Sequence, residues 1–373
     1  MLSSVKLAVY HDILTLVRHI RIWSANMNAS KGQLSTPFHW IYVLFAGAVI
    51  LLFFIGLVVK QKDTAEKELS ITVSQKLDGI FTGASLSDQT LNWIDVPRMK
   101  FSFTCEDDFS AYTVGETGSP HHLPFQPFFA QSSFVTSQLV GWTLEFNMPY
   151  KVINLLIVGS PDVATYVVYD DGTNDFKRDI LSTVPSQFGL EAVHIRDLPQ
   201  LDIEADFVKM VFLTDSVLLP PSIAALPDGN VHALHVPFDR STVTYYRKFD
   251  NRLELKDKVF LLSSFDEKNP AFYAALFSDN AESYRCSMRK AFRRMSLLAD
   301  IYDERAKLIM LNYPSGHECK YRYQASQGIF ARLKREITSC SSDDACLAGI
   351  LLSVSDIQMR NRQLQENTCA ALY

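Results

Sequence analysis

The sequence predicts a mixed α+β / α/β head carried on one N-terminal membrane helix. Three observations predict it. An uncharged apolar run, Trp40–Val59, leads into a segment with helical periodicity. Two groups of strands with different patterning follow. All six cysteines lie after the apolar run. The expected divisions are a leader or juxtamembrane segment at 1–39, a transmembrane helix at 40–59 and its extension at 60–84. A β-rich segment at 96–150, an α/β layer at 151–265 and a helical subdomain at 270–373 complete the chain.

The span comes first. At the helical rise its length reaches about 30 Å, the thickness of the hydrocarbon core. Its Leu, Ile, Val and Phe side chains contribute about −4 to −8 kcal/mol to insertion. Trp40 and Tyr42 at one end, and Lys60 and Lys62 at the other, are suited to the two interfaces. Two signals disagree about direction. Lys60, Lys62, Lys67 and Lys76 outnumber Arg21 and Lys31, which by charge count places the C-terminal side in the cytoplasm. Long domains cross regardless of such charges, however, and the cysteines mark their side as oxidising. The expectation is therefore a cytoplasmic N-terminus and an extracytoplasmic C-terminal domain in the cell membrane.

Beyond the span, Ala65, Leu69, Val73 and Leu77 recur every fourth residue, so Lys60–Ile80 continues the helix until Gly79 and Gly83 end it. From Val96 to Leu144, short aromatic-rich runs (Lys100–Thr104, Pro127–Phe134, Gly141–Phe146) read as β structure with long loops. The apolar runs Ile153–Val158, Ala192–Ile195, Phe207–Leu213 and Val231–Val236 then read as strands buried on both faces of a small, mostly parallel layer. Asn174–Thr183 fits a helix among them, and Thr242–Arg247 and Lys258–Leu262 fit edge strands. Ala271–Leu308 reads as helical.

The C-terminus predicts a stapled helical hairpin. Ile329, Leu333 and Ile337 form one stripe, within Ala325–Ser339. Leu347, Ile350, Leu351, Val354 and Ile357 form the other. Ser341-Ser-Asp-Asp344 suits the turn and the cap of the second helix. Folding the helices back predicts Cys340–Cys346 at the turn and Cys319–Cys369 at the open end, which leaves Cys105 with Cys286. A zinc site is the rival, but no Cys-x-x-Cys pair occurs.

Candidate chemistry is sparse. A net charge of −5 excludes a globally basic nucleic-acid binder. Gly159-Ser-Pro-Asp162 lacks the glycines of a dinucleotide loop and the Lys-Ser/Thr of a P-loop. Asp215 and Ser216 follow a strand's carboxyl end, where α/β proteins bind ligands, though capping of the next turn is the preferred reading. Ser278-Asp-Asn280 and Ser287-Met-Arg-Lys290 match penicillin-binding signatures in the wrong order and without Lys-Thr-Gly, so they read as coincidence. His232 and His235 point to opposite strand faces, and His121-His122 reads as a solvated loop pair. Arg285, Arg289, Lys290, Arg293 and Arg294 gather on one helix and could grip an anionic polymer, lipid head groups or an acidic partner, though a solvated face balanced by Asp279, Glu282, Asp300, Asp303 and Glu304, close in sequence, is the preferred reading. No cofactor, metal or catalytic residue is expected.

Just before the span, Lys31-Gly32-Gln33-Leu34-Ser35 follows a short positive segment and precedes the apolar helix. This resembles a class III signal peptide of the archaeal prepilin type. The run Lys31–Phe54 is also similar to the N-termini of single-pass membrane proteins of small-genome archaea. The resemblance implies cleavage between Gly32 and Gln33, retention of the helix and a pilin-like layout. Pilin-like subunits carry Glu at the fifth position after the cut, where this chain has Pro37. Met27 would give a leader of ordinary length, and with Met1 as the start Val5–Ile22 fits a surface-lying helix.

Together these readings imply a non-enzymatic envelope protein, with a pilin-like or surface-assembly subunit as the expected form, and with the lipid bilayer and other envelope proteins, or copies of itself, as partners. The competing expectation is a membrane-tethered enzyme or sensor that binds a small ligand at the α/β strand ends near Asp215.

Overall fold

A computed structural model describes residues 35–116, 118–262, 269–340 and 344–373. The leader, the cut at Gly32 and Gln33, Val5–Ile22, Met27 and the turn residues 341–343 lie outside the described residues, as does the side chain of Asp344. The chain divides into two units, Met1–Asp63 and Thr64–Tyr373.

The described part of the first unit is helical. Helix α1, Ser35–Leu86, contains an 18-residue window of mean hydropathy 2.8, none of it buried. It is long and apolar enough to cross a bilayer. No break occurs at Gly79 or Gly83, and α1 runs on to Leu86. A glycine inside a helix costs only about 1 kcal/mol against Ala, which tertiary packing readily offsets.

In the second unit that packing is visible. Val73, Leu77, Phe81 and Ala84 are buried at helical spacing against one face of a six-stranded sheet. Ser70 Oγ donates to the Val114 carbonyl at 2.6 Å, and Asp78 bridges the Tyr112 hydroxyl (2.5 Å) and His121 Nδ1 (2.9 Å). The sheet order is β3-β2-β1-β5-β6-β4. Its strands are β1 Leu91–Cys105, β2 Phe109–Val114, β3 His121–Pro124, β4 Phe128–Phe129, β5 Ser133–Asn147 and β6 Lys151–Gly159. Only the short β4 pairs in parallel. The period of two sorts the side chains. Leu139, Leu156 and Val158 join α1, while Val140, Trp142, Leu144, Leu155 and Ile157 face the central core.

The second sheet has the order β12-β11-β10-β9-β7-β8. It comprises β7 Val163–Tyr169, β8 Leu190–His194, β9 Phe207–Phe212, β10 Val231–His235, β11 Thr242–Phe249 and β12 Arg252–Phe260. Pairing is parallel among β8, β7, β9 and β10, and antiparallel for β11 and β12. The expectation for Ile153–Val158 is corrected here. It belongs to β6, which pairs antiparallel with β5 in the first sheet, and β7 supplies the parallel layer's first strand. Both strands are buried on both faces, so their apolar pattern is the same in either sheet. Val167, Val211 and Leu234 point into the central core, and Tyr166, Val168, Met210 and Phe212 point into a separate outer core.

The helices are α2 Asn174–Thr183, α3 Pro270–Phe277, α4 Ala281–Leu311, α5 Glu318–Ser326, α6 Ile329–Ser339 and α7 Asp344–Glu366. Every residue of α3 is buried, as expected of a helix apolar all round. The single helix expected over Ala325–Ser339 is instead two, broken at Gln327-Gly328, where Gly328 takes φ 80°. That left-handed backbone is inexpensive only for glycine.

Phe81 is 1% exposed between the Tyr112 and Phe128 rings. Phe81→Ala is therefore expected to destabilise the second unit by about 3–5 kcal/mol. Denaturant unfolding of the full chain in mild detergent, followed by the fluorescence of Trp93 and Trp142, checks this.

Candidate functional site

Helix α4 organises the polar features of the second unit. Its start is specified locally. Asn280 caps it, with Oδ1 accepting from Ser283 N at 2.9 Å and the Ser283 hydroxyl answering the Asn280 backbone, which closes a capping box. Ser278-Asp-Asn280 is thus a helix entry. The Ser278 hydroxyl donates to the Ala274 carbonyl at 2.8 Å.

Asp279 stands at this entry beside two residues from adjacent parallel strands, Lys209 on β9 and its register partner His232 on β10. His232 Nδ1 lies 2.8 Å from Asp279 Oδ1, and His232 Nε2 faces the Gly229 carbonyl at 3.2 Å. Lys209 is 3% exposed and donates to the Ser278 carbonyl at 2.9 Å. Burial pushes its ammonium down to about 7, against the pull of Asp279. Burial acts on Asp279 in the opposite sense to its partners. Hydrogen bonding and charge from His232, a hydrogen bond from Ser132 and the charge of Lys209 outweigh it and hold the carboxyl at about 2. The cluster fastens the α4 entry to the second sheet.

A cleft of about 640 Å³ opens along the first turns of α4. Phe103, Phe109 and Phe128 supply apolar walls. Glu106, Asp107, Asp108, Asp279 and Glu282 supply carboxylates, and Cys105 and Cys286 lie in the wall. These two cysteines are joined, with Cα atoms 6.1 Å apart. Cys319 is joined to Cys369 and Cys340 to Cys346, at 5.6 and 5.1 Å.

The five candidate cations in the first half of α4 are brought to one helix but reach different acceptors. Arg285 forms a two-pronged pair with Asp257 (2.6 and 3.0 Å). Arg289 meets Asp107 at 3.3 Å, Arg293 meets Asp108 at 2.7 Å, and Arg294 donates to the Val152 carbonyl at 2.9 Å. Lys290 is 2% exposed and donates to Cys105 Sγ at 2.8 Å and Ser110 Oγ at 3.0 Å. Burial is the main reason its ammonium falls to about 8. Arg289 and Arg293 add to the fall, and Asp107 and Asp108 oppose it. Ser287 donates to the Phe128 carbonyl at 2.7 Å.

The remaining candidates are dispersed. Asp215 and Ser216 are exposed past β9, with Asp215 Oδ1 4.0 Å from His235 Nε2. His232 and His235 therefore serve different carboxylates. His121 is corrected from a solvated loop residue to a strand residue that stacks on Tyr112 and pairs with Asp78. Gly159 passes so close to the Phe188 ring that a Cβ would come within 2.8 Å of it. In the same turn Asp162 accepts from Thr136 Oγ1 (2.8 Å) and Ser137 N (3.1 Å). That turn is built for packing and strand ties. Among the described residues no group of three or more His, Cys, Asp or Glu side chains is placed to hold a metal. No protein-family profile, curated protein or solved structure matches the chain.

The Lys209–Asp279–His232 cluster was not anticipated from sequence. Its one signal is Lys209 itself, a charge inside the otherwise apolar strand Phe207–Phe212. Unfolding returns Lys209 to water, where it binds a proton up to its ordinary 10.5. Between about pH 7 and that value the unfolded chain holds more protons, so stability rises with pH across this window. Thermal melts from pH 7 to 9.5 are expected to climb. Lys209→Met is expected to melt higher at pH 7 and to lose the part of the climb that begins there. The part due to Lys290, beginning near pH 8, remains.

Proposed function

We propose that this chain is a non-enzymatic, single-pass membrane protein of the cell envelope, with the Thr64–Tyr373 unit on the extracytoplasmic side. Helix α1 carries the reading. Side chains from Trp40 to Val59 are turned to the surroundings, while Val73, Leu77, Phe81 and Ala84 are buried in a folded unit. An exposed apolar window of this strength is stable only where lipid replaces water. The three disulfides support an oxidising location for the second unit.

The head acts by protein contact, as a pilin-like or surface-assembly subunit. Leu297, Ile301, Leu308 and Leu311 on α4 are each 60–70% exposed, which supports a surface that meets another protein. The segment Lys31-Gly-Gln33 and the uninterrupted helix after it support processing at Gly32.

Leu51→Arg together with Leu52→Arg adds about 5–7 kcal/mol to insertion, which nearly cancels the favourable term of the whole span. The double variant is expected in the soluble fraction, and the parent chain in the carbonate-resistant membrane fraction. Protease added to intact cells should digest the head of the parent chain. Protection there, with digestion only in inverted vesicles, would reverse the orientation. Mass spectrometry of the mature N-terminus is expected to begin at Gln33.

A further inference from the structure

Lys290 is a buried cation without a carboxylate of its own. Among the described residues no acid forms an ion pair with it, because the adjacent Asp107 and Asp108 are held by Arg289 and Arg293. Its contacts are the Ser110 hydroxyl and the sulfur of Cys105. The Ser287 hydroxyl oxygen lies 3.6 Å from that sulfur but commits its one proton to the Phe128 carbonyl. A buried positive charge is ordinarily matched by an anion. A disulfide sulfur is a weak, neutral acceptor, whereas a thiolate at the same atom would be a full counter-ion. Helical spacing explains the placement, since Lys290 lies one turn beyond Cys286 and overhangs the bond that Cys286 makes.

We propose that Cys105–Cys286 is a thiol–disulfide exchange site, with Lys290 placed to hold Cys105 as the departing thiolate and the adjoining cleft admitting an uncharged or cationic dithiol. A thiolate of the incoming dithiol attacks Cys286 Sγ, and the Sγ–Sγ bond breaks. Its electron pair leaves on Cys105 Sγ beside the Lys290 ammonium. The second thiol of the dithiol gives up its proton and attacks its own sulfur in the mixed disulfide, which releases Cys286. Cys286 takes a proton from water. Two electrons pass to the chain, and the dithiol becomes a disulfide. Leaving-group stabilisation speeds such exchange, and a neighbouring ammonium lowers a thiol below its ordinary value of about 8.5. The carboxylates of Glu106, Asp107, Asp108 and Glu282 line the approach, with Arg289 as the opposing charge. Anionic thiols are therefore disfavoured.

The test uses the full chain in detergent. Dithiothreitol is added at pH 7, and samples are acid-quenched, alkylated and read cysteine by cysteine by mass spectrometry. Lys290→Met is expected to slow opening of Cys105–Cys286 at least tenfold and to leave Cys319–Cys369 unchanged. Lys290→Arg is expected to stay near the parent rate. An unchanged or faster rate in Lys290→Met would overturn the proposal. A second measurement serves if that variant does not fold. In Cys286→Ser, the pH midpoint for alkylation of Cys105 is expected at least one unit below 8.5. A midpoint at or above the ordinary value would overturn the assignment. Glutathione should react more slowly than dithiothreitol and be trapped on Cys286, whereas capture on Cys105 would refute the leaving-group role.

Discussion

A helix with no solvent face organises the second unit. All eight residues of Pro270–Phe277 are buried, so each neighbour must be apolar or bring a hydrogen bond. Trp142 from the first sheet packs against Tyr273 and Phe277, and Phe188, from the connection between α2 and β8, packs against Phe277. From the second sheet, the Tyr245 hydroxyl donates to the Ala275 carbonyl at 2.9 Å and Lys209 to the Ser278 carbonyl just beyond. One short helix thus receives both sheets, and α4 starts from its end in a direction already constrained. The buried polar contacts around Asp279 follow from this. They satisfy a chain that must leave a dry interior within three residues.

The first sheet presents a second apolar face, lined by Phe101, Phe103, Phe134 and Leu139, and α1 covers it. The same helix therefore has to satisfy two solvents. Up to Val59 it is apolar all round, as lipid requires. From Ser70 it is apolar on one side only, as a protein surface requires. Between these parts lie charged residues such as Lys60, Lys62, Glu66 and Lys67, which suit neither interior.

The parts of the molecule governed by local pattern could be read from sequence. The uncharged span, the fourfold spacing of Leu69, Val73 and Leu77, and the two C-terminal stripes need no knowledge of distant residues. Sheet membership could not be read. Ile153–Val158 and Val163–Val168 are both apolar on each face, and only the turn at Ser160-Pro-Asp162 separates one sheet from the other. Polar clusters were hidden for a related reason. Lys209, His232 and Asp279 are ordinary residues on three elements, and their meaning comes from adjacency across the sheet. The arginines of α4 show the same limit. Their counter-charges were expected from acids close in sequence, but Asp107, Asp108 and Asp257 come from other strands and loops.

The bond between Cys105 and Cys286 closes a loop across a sequence separation of 181. On the chain-entropy model a loop of that size narrows the unfolded ensemble by about 5 kcal/mol. Its placement also orders events during synthesis, because a chain leaves the ribosome from its N-terminus. Cys105 emerges first, and no other cysteine follows until Cys286. During that interval Cys105 has no incorrect partner within its own chain, and the first one to arrive is the one it keeps. Cys319 is in the contrary position, since Cys340 and Cys346 both emerge before Cys369. Any error in cross-linking should therefore concentrate in the C-terminal helices, while the bond beside Lys290 is guarded by the order in which the cysteines appear.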